Sequence, residues 1–214
     1  MFARVLHMIG TALVTVSVLF LFVTFFPVLK EEAKYQLWPK HKDVRIVFGT
    51  ESQSLKEEGK MTASDVIIPV DEDFGIVIPK IGANARVIAG VDWQDSRAYQ
   101  QALALGVAQA KGTANPGEPG NVFLFSHSGV DFLETARYNA LFYLIDKLID
   151  EDEIVLIYRG EKFTYQVTEK KIVAAESLEY LRGDEREKTL TLMTCFPAGT
   201  TWKRLVVIAK QVSP

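Results

Sequence analysis

Ile154-Val155-Leu156-Ile157-Tyr158-Arg159-Gly160-Glu161-Lys162-Phe163-Thr164-Tyr165-Gln166-Val167 is two runs of β-branched and aromatic residues on either side of Arg159-Gly160. Ile154 to Tyr158 and Phe163 to Val167 read as strands, and the glycine-bearing pair between them as a hairpin turn. The pattern recurs along the chain. Gly75 to Ile81 and Ala85 to Val91 read as strands broken at Gly82-Ala83-Asn84. Asn121 to Phe125 follows the breaker-rich Asn115-Pro116-Gly117-Glu118-Pro119-Gly120, and Lys171 to Ala174, Leu190 to Thr194 and Leu205 to Val212 complete a set of about eight. Two stretches have helical spacing: Tyr99, Ala102, Leu103, Gly106, Val107 and Ala110 on one face, and Leu141, Phe142, Leu144, Ile145 and Leu148 on another. Strands outnumber helices, so a mainly-β domain is expected, a mostly antiparallel barrel or sandwich with a few short helices. Closure into a barrel would remove exposed edges.

The 214 residues are 48% hydrophobic, enough for a domain-sized core. A formal net charge of −3, with no stripe of lysine and arginine interleaved with aromatics, excludes a nucleic-acid binder. From Val5 to Leu29 only His7 is ionisable, and Leu13 to Phe26 is unbroken apolar residues with threonine and serine. That run exceeds a signal-peptide centre and leads into Lys30-Glu31-Glu32-Ala33-Lys34, so residues 1–29 read as one uncleaved transmembrane anchor. Residues 30–73 are a polar spacer rich in acids, in which Val66-Ile67-Ile68-Pro69-Val70 is apolar enough to pack as an arm on the domain at 74–214. Arg4 and the amino terminus lie on one side of the apolar run, whereas Lys30, Lys34, Lys40, Lys42 and Arg45 lie on the other; a bare count of cations leaves the domain in the cytoplasm. Phe25-Phe26 and Trp38 suit an interfacial belt.

Cys195, at the end of Thr191-Leu192-Met193-Thr194-Cys195, is the single cysteine. It can form no internal disulfide and no cysteine-rich zinc site, so it is a buried small hydrophobe or a nucleophile activated from elsewhere. Of three histidines, His7 lies in the anchor and His41 in the juxtamembrane segment, leaving His127 as the candidate base. Arg204 opens the last strand. Each residue has a structural explanation by itself. Together they match thiol chemistry, since an imidazole or cation makes thiolate available and arginine offers donors to an oxyanion. Phe125-Ser126-His127-Ser128-Gly129 lacks the glycine that a serine nucleophile elbow needs. Asp184, Glu185 and Glu187, and separately Asp150 to Glu153, could bind calcium, although such runs are far more often solvated turns.

These motifs resemble the sortases, membrane-anchored cysteine transpeptidases of the bacterial cell surface, over Phe74 to Val212. Thr191 to Cys195 is similar to the family's Thr-Leu-x-Thr-Cys signature, Arg204-Leu205-Val206-Val207 to its arginine strand, and Ser126-His127 stands where Gly-His is usual. Ile78-Pro79-Lys80-Ile81-Gly82 resembles the first barrel strand, Gly106-Val107 with Gly112-Thr113 and Pro116-Gly117 the loop after the first helix, and Gly120-Asn121-Val122 the lead into the histidine strand. Ser126 replaces the common glycine, no second anchor follows the barrel, and no Asp-Pro-aromatic lid precedes Phe74; a pilus-polymerising type matches less well.

The resemblance implies a closed eight-stranded β-barrel and a catalytic set of His127, Cys195 and Arg204, with Thr194 contacting substrate. Cys195 would attack a Leu-Pro-x-Thr-Gly-like sorting signal to form a thioester, His127 would shuttle the proton of the departing and incoming amines, and Arg204 would steady the oxyanion. Partners would be surface proteins bearing the signal and an amine acceptor, a cell-wall cross-bridge or a protein lysine, with hydrolysis when no amine arrives. No cofactor is implied. The domain would lie outside the cytoplasm, against the charge count. Two alternatives stand: a non-catalytic membrane-tethered peptide-binding barrel, and an L,D-transpeptidase, whose short Ser-x-Gly-Cys context does not surround Cys195.

Overall fold

In the computed structural model, Arg159 and Gly160 both take positive φ, 53° and 79°, the backbone of a two-residue turn that follows the twist of its strands. Tyr158 pairs with Glu161 across it, and the Arg159 guanidinium sits 5.1 Å over the Tyr158 ring. The structure describes residues 2–37, 45–48, 66–128, 142–184, 186–198 and 200–213. Trp38, Lys40, Lys42, the acids from Glu51 to Asp65, Gly129, Leu141 and Glu185 lie outside these. The chain forms two compact units, Met1–Leu37 and Trp38–Pro214.

The first unit is helix α1, Phe2–Leu37. Ala3–Val23 is long and apolar enough to cross a membrane. Its hydroxyls are satisfied within the helix, as lipid would demand: Thr11, Thr15 and Ser17 each donate to the carbonyl four residues back at 2.9 Å.

In the second unit, β1 (Arg45–Ile46) and β2 (Val66–Ile67) form a short parallel ladder. Eight further strands close a barrel: β3 (Phe74–Ile78), β4 (Ala83–Val91), β5 (Val107–Ala110), β6 (Gly120–Phe125), β7 (Glu153–Tyr158), β8 (Glu161–Ala174), β9 (Lys188–Phe196) and β10 (Lys203–Ser213). Around it they run β10-β8-β7-β3-β4-β5-β6-β9, with β9 paired back to β10. All pairings are antiparallel except β4 with β5 and β6 with β9. A barrel, not a sandwich, is therefore the outcome.

Why Ile154 to Ile157 is continuously apolar follows from its two covered faces. Ile154 and Leu156 pair with the buried Tyr165 and Phe163, whereas Val155 and Ile157 form a buried cluster with Val77, covered by Ile46, Phe48 and Ile67. The apolar arm thus packs on the barrel through Ile67. Asn84 secures it, accepting from the Val70 N–H at 2.9 Å and donating to the Ile68 carbonyl at 2.7 Å.

Four expectations need correction. The first helix does not continue to Ala110: α2 spans Ser96–Leu105, capped by the Asp95 carboxylate accepting from Arg97 and Ala98 N–H, and it ends where Gly106 N–H donates to the Ala102 carbonyl. Val107 to Ala110 are all buried, which suits strand β5, not a helix with one wet face. The second predicted helix contributes a single 3-10 turn, Ile145–Lys147, although Phe142, Leu144, Ile145 and Leu148 are all buried. Phe163 to Val167 and Lys171 to Ala174 are one strand, β8. Its polar middle, Thr168 to Lys171, is exposed, and Thr168 is the extra residue of a bulge where pairing with β10 slips between Ile208 and Ala209. The strand β3 also stops at Ile78, since Pro79–Ile81 turns as a 3-10 helix closed by Gly82 at φ 63°.

Asp71 anchors the entry to β3. Burial pushes its carboxyl up, but N–H donors from Phe74 and Asp73 and the Arg86 guanidinium at 3.0 Å outweigh this and hold it below the usual carboxylate range. Gly75 is required beside it, because a Cβ there would strike the Asp71 carbonyl. A folded-state pKa below the unfolded one means that this contribution is complete above about pH 4 and is lost as pH falls through the lower folded value. Asp71→Asn is therefore expected to flatten the acid limb of stability, read as urea midpoints from pH 6 to 2; parallel limbs for both proteins would contradict it.

Candidate active site

Cys195 and Arg204 are direct partners in the β9/β10 ladder, so they share one face at one rim. Cys195 is a free, half-buried thiol. Both hydrogens of Arg204 Nη1 go to its own loop, to the Thr201 and Lys203 carbonyls at 3.1 Å, which leaves Nη2 and Nε to face other acceptors.

His127 reaches the same rim by another route. β6 runs parallel to β9 with Asn121 opposite Thr189, Phe123 opposite Thr191 and Phe125 opposite Met193. The chain stays alongside for one more step, the Ser126 N–H donating to the Met193 carbonyl at 3.2 Å and Thr194 Oγ1 to the Ser126 carbonyl at 2.9 Å. Half-buried His127 follows directly, one residue beyond the Ser126–Thr194 bond, as Cys195 is one residue beyond Thr194 on β9.

Thr194 is buried, and its hydroxyl proton is committed to Ser126, which makes it the tie between the histidine and cysteine segments. Thr194→Val keeps the shape and strands a buried carbonyl; a loss of about 1–2 kcal/mol in unfolding free energy is expected by chemical denaturation. A change below a few tenths would show the bond to be dispensable.

Beside the thiol lies a cavity of about 130 Å³, lined by Cys195, Thr194 and Ser128 and, from a distant part of the sequence, Phe142, Asp146 and Lys147. His127 and Arg204 do not line it. Sequence reasoning misses this segment because its apolar residues carry the spacing of a helix face. Their charged companions, Asp146 and Lys147, were the available signal.

Three of the acids named as calcium candidates have other partners: Asp152 holds Lys80 at 2.6 Å and accepts from the Ile149 N–H, Glu187 holds Lys210 at 2.8 Å, and Asp184 accepts from the Arg186 N–H. Among the described residues, no group of three or more His, Cys, Asp or Glu is gathered to hold a metal.

Fold and rim together define a closed β-barrel carrying a lone thiol between an arginine strand and a histidine strand. The Sortase domain family model matches residues 76–212. Sortase D of Bacillus subtilis (strain 168) is 27% identical over 139 residues, 64% of this chain and 62% of the relative, so the match spans under two thirds of that protein's length. Among solved structures, sortase C1 of Streptococcus agalactiae, in complex with MTSET, is 30% identical, with a TM-score of 0.56 over 68% of this chain and 72% of that one. The sortase D5 transpeptidase of Clostridium perfringens, 23% identical with a TM-score of 0.54 over 89% and 99%, shares the fold. The chain belongs to the sortase family.

Proposed function

We propose that this protein is a membrane-anchored cysteine transpeptidase that cleaves a Leu-Pro-x-Thr-Gly-like sorting signal and passes the acyl group to a cell-surface amine, with its barrel outside the cytoplasm. The observation that carries the proposal is the ladder pairing of Cys195 with Arg204, with the Ser126-His127 segment tied to the same strand. Cys195 Sγ attacks the threonine carbonyl carbon. The C–N bond breaks as His127 protonates the departing glycine amine, and a thioester remains. An incoming amine, or water, then attacks that carbon, gives a proton to His127 and releases the thiolate. Arg204 donates to the carbonyl oxygen as it gains charge. Thr194 acts through position, holding the histidine segment against the nucleophile strand.

Anchoring gives the chemistry a locale. A helix long enough to cross a membrane confines enzyme, signal-bearing protein and acceptor to one surface, which raises their effective concentration. The non-catalytic alternative predicts peptide binding without turnover.

The test is direct. The full chain in detergent is incubated with a pool of pentapeptides of the Leu-Pro-x-Thr-Gly type, and intact protein and products are weighed by mass spectrometry. Expected are an acyl adduct on Cys195 and a peptide ending in threonine, or its amide when an amine is added. Bound peptide without adduct or cleavage would favour the binding barrel and sink the transpeptidase.

A further inference from the structure

We propose that the cavity beside Cys195 is the acceptor site, and that Asp146 receives the incoming primary amine in its ammonium form. This rests on the transpeptidase proposed above and adds the group that holds its second substrate. At about 130 Å³ the cavity is well below the roughly 300 Å³ and more of pockets that enclose a whole small molecule, which suits an aminomethyl head and not a folded peptide. It is lined by Cys195, where a thioester would form, and by Ser128, the chain neighbour of His127. His127 itself does not line the cavity, so the arriving amine passes from Asp146 to the thioester before that base takes its proton.

Asp146 is the carboxylate of this cavity. Its pair with Lys147 is long, 3.9 Å between Nζ and Oδ2, with the two side chains 33% and 42% exposed. Such a pair is weak, and an ammonium at direct hydrogen-bond distance can displace it. The backbone under the carboxylate is fixed: Lys170 Nζ donates to the carbonyls of Asp146 and Leu148, while Ile145 and Leu148 are buried. Lys170 is thus a positioning residue for the cavity wall.

The chemistry needs such a group because a primary amine is mostly protonated near neutral pH, and a carboxylate in a partly enclosed site raises its local concentration. The ammonium sheds one proton to solvent before reacting. Its nitrogen then attacks the thioester carbon and loses a second proton to His127. The C–S bond breaks with its electron pair returning to Sγ, leaving an amide, a thiolate and an imidazolium.

The experiment uses the full chain in detergent, the pentapeptide pool and glycinamide as the amine, and it measures the ratio of amide to hydrolysed product. That ratio does not depend on how much protein is folded. Asp146→Asn is expected to lower it about five- to tenfold by raising the glycinamide concentration needed for half-maximal aminolysis. Lys147→Met, which removes the competing cation, is expected to raise it. A ratio unchanged in Asp146→Asn, or shifts of the same sign in both variants, overturns the acceptor site while leaving the transpeptidase intact. Wild-type protein that forms no adduct and cleaves nothing overturns both.

Discussion

Cys195→Ala is expected to bring transfer from pentapeptide to amine down to background, a fall of at least about 10⁴-fold in kcat/KM, with no acyl adduct on the protein. The chain has one cysteine, so no other thiol can substitute. The fold should tolerate the change, because the ladder that pairs Cys195 with Arg204 is made of backbone bonds, and a half-buried sulfur leaves only a small void. Peptide binding by Cys195→Ala, followed by fluorescence anisotropy, should persist, which separates lost chemistry from lost structure. His127→Gln removes the proton shuttle but not the nucleophile; a smaller loss, about 10²–10⁴-fold, is expected. Turnover by Cys195→Ala at the wild-type rate would remove the sulfur from the mechanism.

Asn121→Leu is expected to destabilise the barrel by about 3–5 kcal/mol, a large share of a domain's total. Asn121 is 2% exposed and uses both ends of its amide. Its Oδ1 accepts from Thr189 and Thr191 hydroxyls at 3.0 Å, and its Nδ2 donates to the Tyr180 carbonyl at 2.8 Å and to Leu181 at 3.3 Å. Leucine leaves two hydroxyls and two carbonyls without this partner in a dry setting. The neighbourhood has no slack: Gly183, at φ 60°, would place a Cβ 2.7 Å from that of Asn121. Because Asn121 sits in the β6/β9 ladder that leads to His127, activity should fall with stability. A urea midpoint unchanged from wild type would show that the network is replaceable.

Much of the fold was legible because strand signals are local. Tyr158-Arg159-Gly160-Glu161 declares a hairpin, and the structure has it. Where the signal depends on tertiary context it failed. Val107 to Ala110 carries helix spacing with α2, and only burial from all sides makes it a strand. Thr168-Glu169-Lys170 reads as a gap between two strands, yet the pairing with β10 runs through it with only Thr168 bulged out, while the side chains stay wet. At the site, Cys195 and Arg204 lie where consecutive strands meet a loop, which suits one rim of a barrel, but only the ladder shows them as partners. No residue in Asn121 to Phe125 announces a parallel neighbour, and the cavity wall at Phe142 to Lys147 comes from a segment whose spacing suggests a helix that does not form.

The thiol acquires its two companions on different schedules. Arg204 arrives through a short hairpin, a local event, whereas His127 waits for the parallel β6/β9 seam, whose Thr194 to Ser126 bond spans 68 residues of sequence. Long-range parallel pairings close late in folding, after local hairpins have formed. Under the proposed mechanism, a newly made or partly opened chain would carry a sulfur without its imidazole, and its nucleophilic role would begin only as the barrel seals.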